Sequence, residues 1–175
     1  MTRLAETPTV RAAVAADVPL ILSLIRELAD YEKLSHEVVA SEAALRRDLF
    51  GAHPAAQVLI AEWDGAPAGF ALFFTNYSTF LARPGIYLED LYVRATLRGR
   101  GIGQALLSRV AALALARGCG RLEWSVLDWN APALKFYAAL GARAMNQWTI
   151  HRVTGDDLEK LAAAAEGKHT ISTPD

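Results

Sequence analysis

The sequence predicts a mixed α/β sheet with helices on both faces. Three observations carry this. Apolar residues recur at helical spacing in several separated stretches. An early group of strand-like runs is joined through a tight turn signal. Later strand-like runs alternate with helices, the pattern of a strand–helix–strand unit. The 175 residues fit one domain, 1–175, with a core at about 9–165, and a hydrophobic content of 53% excludes a disordered chain.

The elements follow in order. Thr9 to Val14 is short and partly β-branched, a first strand. Asp17 stands as an N-cap with Pro19 just inside a helix whose apolar face is Ile21, Leu24, Ile25, Leu28 and Tyr31. A shorter helix runs from Ser41, its cap, to Phe50. Gln57 to Trp63 and Ala66 to Thr75 are strands around an Asp64-Gly65 hairpin turn. Asn76 to Gly85 reads as a loop, and Ile86 to Val93 as the next strand. Gln104 to Arg117 is a helix closed by Gly118. Leu122 to Leu127 is a strand, and Ala131 to Leu140 a helix started by Asn130 and Pro132 and stopped by Gly141. Ala142 to Val153 supplies one or two final strands, Gly155 to Ala165 a short helix, and Gly167 to Asp175 a frayed polar end.

Bulk properties exclude some classes. The net charge is -1 and no basic motif occurs, so nothing argues for a nucleic-acid partner. Met1 to Thr9 has no apolar signal core, and no apolar run reaches membrane-spanning length. These point to a cytoplasmic protein without a membrane partner. The single cysteine, Cys119, reads as a buried small hydrophobe at a strand start. His36, His53, His151 and His169 are scattered, and no metal-ligand spacing is present.

The stretch Arg98-Gly99-Arg100-Gly101-Ile102-Gly103 lies between a strand and a helix. Such a turn aims backbone N–H groups at one point, where the helix end adds positive potential. That suits an anion such as a pyrophosphate. A dinucleotide fingerprint would need glycine at Gln104, and a nucleoside-triphosphate loop would need Gly-Lys-Ser/Thr. Neither is present.

Glu89 and Asp90 are adjacent carboxylates inside the apolar run Ile86 to Val93. Alternation along a strand sends them to opposite faces. A buried carboxylate needs a partner. For each, that is an internal arginine, backbone donors, water or a substrate. Farther on, Asn130 caps a helix, and Tyr137 lies two helical turns later, near the same face. Phe136 and Tyr137 serve core packing or, through the phenol, proton donation.

Val10-Arg11, Leu24 to Glu32, Tyr87 to Val93, Arg98 to Gly103, Trp129-Asn130-x-Pro132 and Phe136-Tyr137 together resemble the diamine (spermidine/spermine) and thialysine N-acetyltransferases of the GNAT superfamily. The resemblance runs from about Val10 to Leu161. It implies the GNAT fold, acetyl-CoA as co-substrate with no metal, and a homodimer. It implies that the backbone of Leu91, Tyr92 and Val93 pairs with the pantetheine arm. Arg98, Gly99, Arg100, Gly101, Ile102, Gly103 and Gln104 would hold the pyrophosphate. Asn130 would contact coenzyme A farther along, with Phe136 and Tyr137 beside the bound cofactor and Tyr137 at the thioester sulfur. Glu89 would act on the acceptor amine, directly or through water.

An aliphatic ammonium cannot attack until it loses a proton, so a base is required. The free amine then attacks the acetyl carbonyl, a backbone N–H of the Glu89–Val93 strand can stabilise the oxyanion, and Tyr137 is the candidate proton donor to the leaving thiolate. Tyr31, Glu32, Glu89, Asp90 and Trp148 would form an acidic, aromatic-lined acceptor pocket. The polyamine enzymes carry an acidic residue shortly before the tryptophan that matches Trp148; here the stretch is Met145-Asn146-Gln147. That moves weight from spermidine toward thialysine or a lysine-like amine. Arg83 is a candidate partner for an acceptor carboxylate. Two other readings stand beside this one: acetylation of a protein lysine or N-terminus, and a non-catalytic acyl-CoA-binding sensor.

Overall fold

The structure, a computed structural model, describes residues 7–166. Residues 1–6 and 167–175, with the polar end and His169, lie outside them. The chain divides into two compact units at Val126/Leu127.

The first unit holds β1 (Thr9–Ala12), α1 (Val18–Tyr31), α2 (Glu42–Phe50), β2 (Gln57–Trp63), β3 (Ala66–Ser78), β4 (Arg83–Val93), α3 (Ile102–Ala116) and β5 (Leu122–Trp124). The sheet runs in the order β1-β2-β3-β4-β5. Its first four strands are antiparallel, and β5 joins β4 in parallel after the α3 crossover. This is the mixed sheet that the sequence predicts. The β2–β3 turn has Asp64 and Gly65 both at positive φ, 52° and 73°, as a two-residue primed turn requires.

Helices cover both faces. Val58, Ile60, Phe70 and Tyr92 pack with Ile21, Leu24 and Leu49 of α1 and α2. The neighbours of opposite parity, Leu59, Ala61 and Ala71, are buried as well, and α3 packs on β2, β3 and β4 with Ile102, Leu106 and Val110 buried. Each large side chain so buried contributes about 1.5–3 kcal/mol.

Several local expectations change. Asp17 occupies the N-cap position of α1 but does not cap it. Its carboxylate takes two bonds from Arg11, at 2.7 and 2.9 Å, and one from the Val14 N–H at 2.8 Å. Arg11 also reaches Glu62 at 2.8 Å, so a charged network ties β1 to β2 where a simple cap was expected. Ser41 does cap α2, accepting from the Ala44 N–H at 3.3 Å. The β3–β4 hairpin is longer than predicted: Asn76, Tyr77 and Ser78 pair with Gly85, Pro84 and Arg83. Strand pairing there overrides the turn-forming composition.

The second unit contains α4 (Ala131–Ala139) and α5 (Gly155–Glu166). Asn130 caps α4, its side chain accepting from the Ala133 N–H at 3.3 Å, and Gly141 closes it at φ +86°. The strands expected within Ala142–Val153 are absent. Trp148 and Ile150 there are 71% and 72% exposed. The sequence has β-forming composition, but a strand exists only with a hydrogen-bonded neighbour, and none is paired here. For the same reason β5 stops at Trp124 and does not run to Leu127, because its pairing ends at Leu88↔Trp124.

Candidate active site

The centre of the first unit is a β-bulge. Phe73 of β3 faces Leu88, and the next residue, Leu72, faces Asp90. Glu89 is therefore the extra residue, and simple alternation does not pass through this step. Leu88 stays with Phe73 on the α3 face, whereas Asp90 shares the α1/α2 face with Tyr92. Glu89 is exposed and Asp90 half-buried.

Among the described residues neither carboxylate pairs with an arginine or lysine, so an internal ion pair does not account for them. Burial, followed by the charges of Glu89 and Glu32, pushes the Asp90 carboxyl up to about 7. Burial also raises Glu32, which sits at the C-cap of α1. The fold thus gathers Glu32, Glu89 and Asp90 into one acidic cluster. A group tuned near neutrality by desolvation and like charge is a functional-site signature.

Beyond the bulge, β4 leads through a short turn at Ala95–Leu97 into the glycine-rich loop and α3. Gly99 and Gly101 sit at φ +76° and +78°, and a Cβ built on either would meet nothing within 4 Å. Left-handed backbone here suits glycine. The Gly101 carbonyl accepts the first helical bond from the Ala105 N–H at 2.9 Å. The first-turn N–H groups of α3, including those of Ile102, Gly103 and Gln104, have no partner within the helix and face the loop end.

The two loop arginines lie on aromatic rings. The Arg98 guanidinium carbon is 4.3 Å from the Tyr31 ring centre and 5.8 Å from that of Tyr92, while its Nε donates to the Val93 carbonyl at 3.0 Å. The Arg100 guanidinium is 5.4 Å from the Trp63 ring. The loop entry is also anchored. Arg94 forks onto the Glu27 carboxylate at 2.9 and 3.1 Å and donates to the Pro67 carbonyl at 2.9 Å.

Residues 23–142 match the family model described as "Acetyltransferase (GNAT) family". The chain belongs to the GNAT acetyltransferase family. It is an N-acetyltransferase by that membership. It is 44% identical to the thialysine N-epsilon-acetyltransferase of Bos taurus, over 87% of this chain and 96% of that one. It is 34% identical to the L-ornithine N5-acetyltransferase of Arabidopsis thaliana, over 87% and 86%. Among solved structures, an integron cassette protein from the V. cholerae mobile metagenome superposes with a TM-score of 0.75 at 27% identity, over 89% and 97%.

GNAT acetyltransferases use acetyl-CoA, and the loop of this GNAT chain fits an anionic group of that kind. Its glycines hold an open left-handed turn, and two exposed arginines flank it. Gly101→Ala should cost about 1–2 kcal/mol through the left-handed backbone alone. The measurement is a melting temperature with and without coenzyme A; an unchanged melt in both would show that the turn tolerates a side chain.

Leu91, Tyr92 and Val93 lie past the point where β5 leaves β4. Asn130, Phe136, Tyr137 and Trp148 belong to the second unit. Asn130 is 7% exposed, its side-chain oxygen engaged in the cap. Phe136 and Tyr137 are half-buried on α4 with ring centres 5.2 Å apart. Arg83 opens β4, and by strand rise it stands roughly 20 Å from Asp90. Glu27, Arg94 and Trp63 escaped the sequence reading. The one available signal was spacing: Glu27 and Tyr31 are four apart on a helix, and Arg94 and Arg98 are four apart across the turn.

Proposed function

We propose that this GNAT enzyme transfers the acetyl group of acetyl-CoA to the primary amine of a small cationic acceptor, by direct attack and without a covalent enzyme intermediate. The observation that carries the acceptor class is the acidic cluster Glu32–Glu89–Asp90, where among the described residues neither Glu89 nor Asp90 pairs with an arginine or lysine. An ammonium supplies the missing positive charge. The names of the thialysine and ornithine relatives favour an amino-acid-like amine. So does the absence of a carboxylate in Met145-Asn146-Gln147.

Acetyl-CoA supplies the activated acetyl group. Arg98 to Gln104 hold its pyrophosphate, Leu91 to Val93 its pantetheine arm, and Asn130 and Phe136 contact it farther along. Glu32 and Asp90 bind the ammonium, with Tyr31 and Trp148 as aromatic acceptor contacts. Glu89, exposed on the bulge, takes the proton directly or through water. A backbone N–H of the Glu89–Val93 strand stabilises the oxyanion. Tyr137 protonates the departing thiolate. The enzyme acts as one domain, in the cytoplasm and as a homodimer; sedimentation showing only monomer would defeat the last point.

The test is coenzyme A release from acetyl-CoA with thialysine, lysine, ornithine, spermidine and putrescine offered separately. Turnover on the amino acids is expected. Turnover on spermidine alone would overturn the amino-acid acceptor, and silence on all five would overturn the small-amine reading.

A further inference from the structure

We infer that Tyr31 and Trp63 are positioning residues for the phosphate-binding arginines, so that α1 and the end of β2 pre-set the cofactor loop before the cofactor arrives. This rests on the proposal that the Arg98–Gln104 loop holds the acetyl-CoA phosphates. The carrying observation is that each loop arginine has its own ring: Arg98 over Tyr31 at 4.3 Å and Arg100 over Trp63 at 5.4 Å.

A guanidinium is planar. Held over a ring by cation–π attraction, it can still present N–H donors to a phosphate. The side chains are long, and a freely rotating arginine loses rotamer entropy on gripping an anion. A ring that already seats the guanidinium removes part of that loss, the general gain from preorganisation. The seating differs at the two sites. Arg98 is fixed at three points: the Tyr31 ring, the Tyr92 ring and the Val93 carbonyl. The chain from which it springs is tied to α1 by Arg94 and Glu27. Glu27 and Tyr31 lie one helical turn apart, so a single face of α1 holds both arginines that bracket the turn. Arg100 rests on Trp63, at the β2 end of the Asp64-Gly65 hairpin, far along the chain from any acceptor residue.

Tyr31 therefore has a task beyond contact with the acceptor, and Trp63 has a task where the sequence suggested none. The test measures the Kd for coenzyme A by calorimetry, and KM for acetyl-CoA against kcat, in six single variants and one double variant. Arg98→Ala and Arg100→Ala establish that the loop binds phosphate; coenzyme A binding unchanged in both would defeat the loop assignment and this inference together. With that effect in hand, Tyr31→Leu and Trp63→Leu are each expected to raise Kd and KM for acetyl-CoA by about five- to tenfold, the scale of a cation–π contact. For Trp63→Leu, kcat stays at the parent value. Tyr31→Phe and Trp63→Phe keep a ring and are expected to restore binding, which a lost packing contact of the Tyr hydroxyl or indole N–H would not do.

Tyr31→Leu added to Arg98→Ala should weaken coenzyme A no further, because the ring acts only through that arginine. Additive losses, or leucine variants that bind coenzyme A as the parent does while the alanine variants do not, would overturn the inference and leave the loop assignment standing.

Discussion

Tyr137→Phe is expected to lower kcat by about 10²–10³-fold while the Kd for acetyl-CoA stays within twofold, the size of effect for loss of a positioned general acid. A phenol O–H can donate a proton as charge builds on the leaving sulfur. The substitution is mild for the fold. Tyr137 is half-buried on α4, and its ring packs beside Phe136 at 5.2 Å; phenylalanine keeps that ring. Single-turnover kinetics separate the chemical step from product release, and calorimetry with coenzyme A gives the binding arm. A variant with normal turnover would take Tyr137 out of the mechanism. Losses of equal size in kcat/KM and in coenzyme A affinity would make it a binding residue instead.

Asp90→Asn is expected to do two opposite things. It should stabilise the folded protein at pH 8 and weaken the acceptor. The sign follows from the raised pKa. Well below 3.8 both the folded and the unfolded carboxyl are protonated. Between the unfolded value of 3.8 and the folded value of about 7, the unfolded chain ionises while the folded chain holds its proton. Stability therefore falls as pH rises through that window and levels off above it. At about 1.4 kcal/mol per unit, the ceiling of the effect is about 4 kcal/mol. Asparagine cannot ionise. The variant should melt higher than the parent at pH 8 and much as the parent does at pH 4, where both side chains are neutral. A parent that melts at the same temperature as the variant across this range would mean that Asp90 is not desolvated.

The functional arm has its own pH signature. A bound ammonium next to Asp90 favours the carboxylate and draws its proton off. In the parent, kcat/KM for the amine should climb as pH rises toward 7, and the Asn variant should lose that climb together with about tenfold or more in acceptor KM. The acetyl-CoA KM should not move. Asp90 would then be a residue that destabilises the fold and is retained for binding, a trade that is common at active sites.

The acidic cluster also shows why sequence reading went only part of the way. Glu89 and Asp90 stood out because two carboxylates interrupt an apolar strand, and that oddity is local. Their relation was not local. The bulge between Leu72 and Phe73 breaks alternation, and no residue in Ile86 to Val93 signals it. The proximity of Glu32, 57 and 58 positions earlier, is equally a product of packing. In the same way, Arg98 and Arg100 were legible as candidate phosphate ligands, but their seats on Tyr31 and Trp63 were not.

What the sequence by itself determined rests on short-range physics. The Asp64-Gly65 hairpin, the Ser41 and Asn130 caps, and the glycine loop at the start of α3 are each encoded within about four residues, because turn and cap energies depend on neighbours that close. The order of strands and helices follows from these marks. Only the tertiary structure decided what depends on distant partners. Asp17 was taken from its cap by Arg11, the hairpin of β3 and β4 was lengthened by pairing, and Ala142 to Val153 stayed outside any strand despite its β-forming residues. A strand, an ion pair and a shifted pKa all belong to two or more segments at once, and their energies are set when those segments meet.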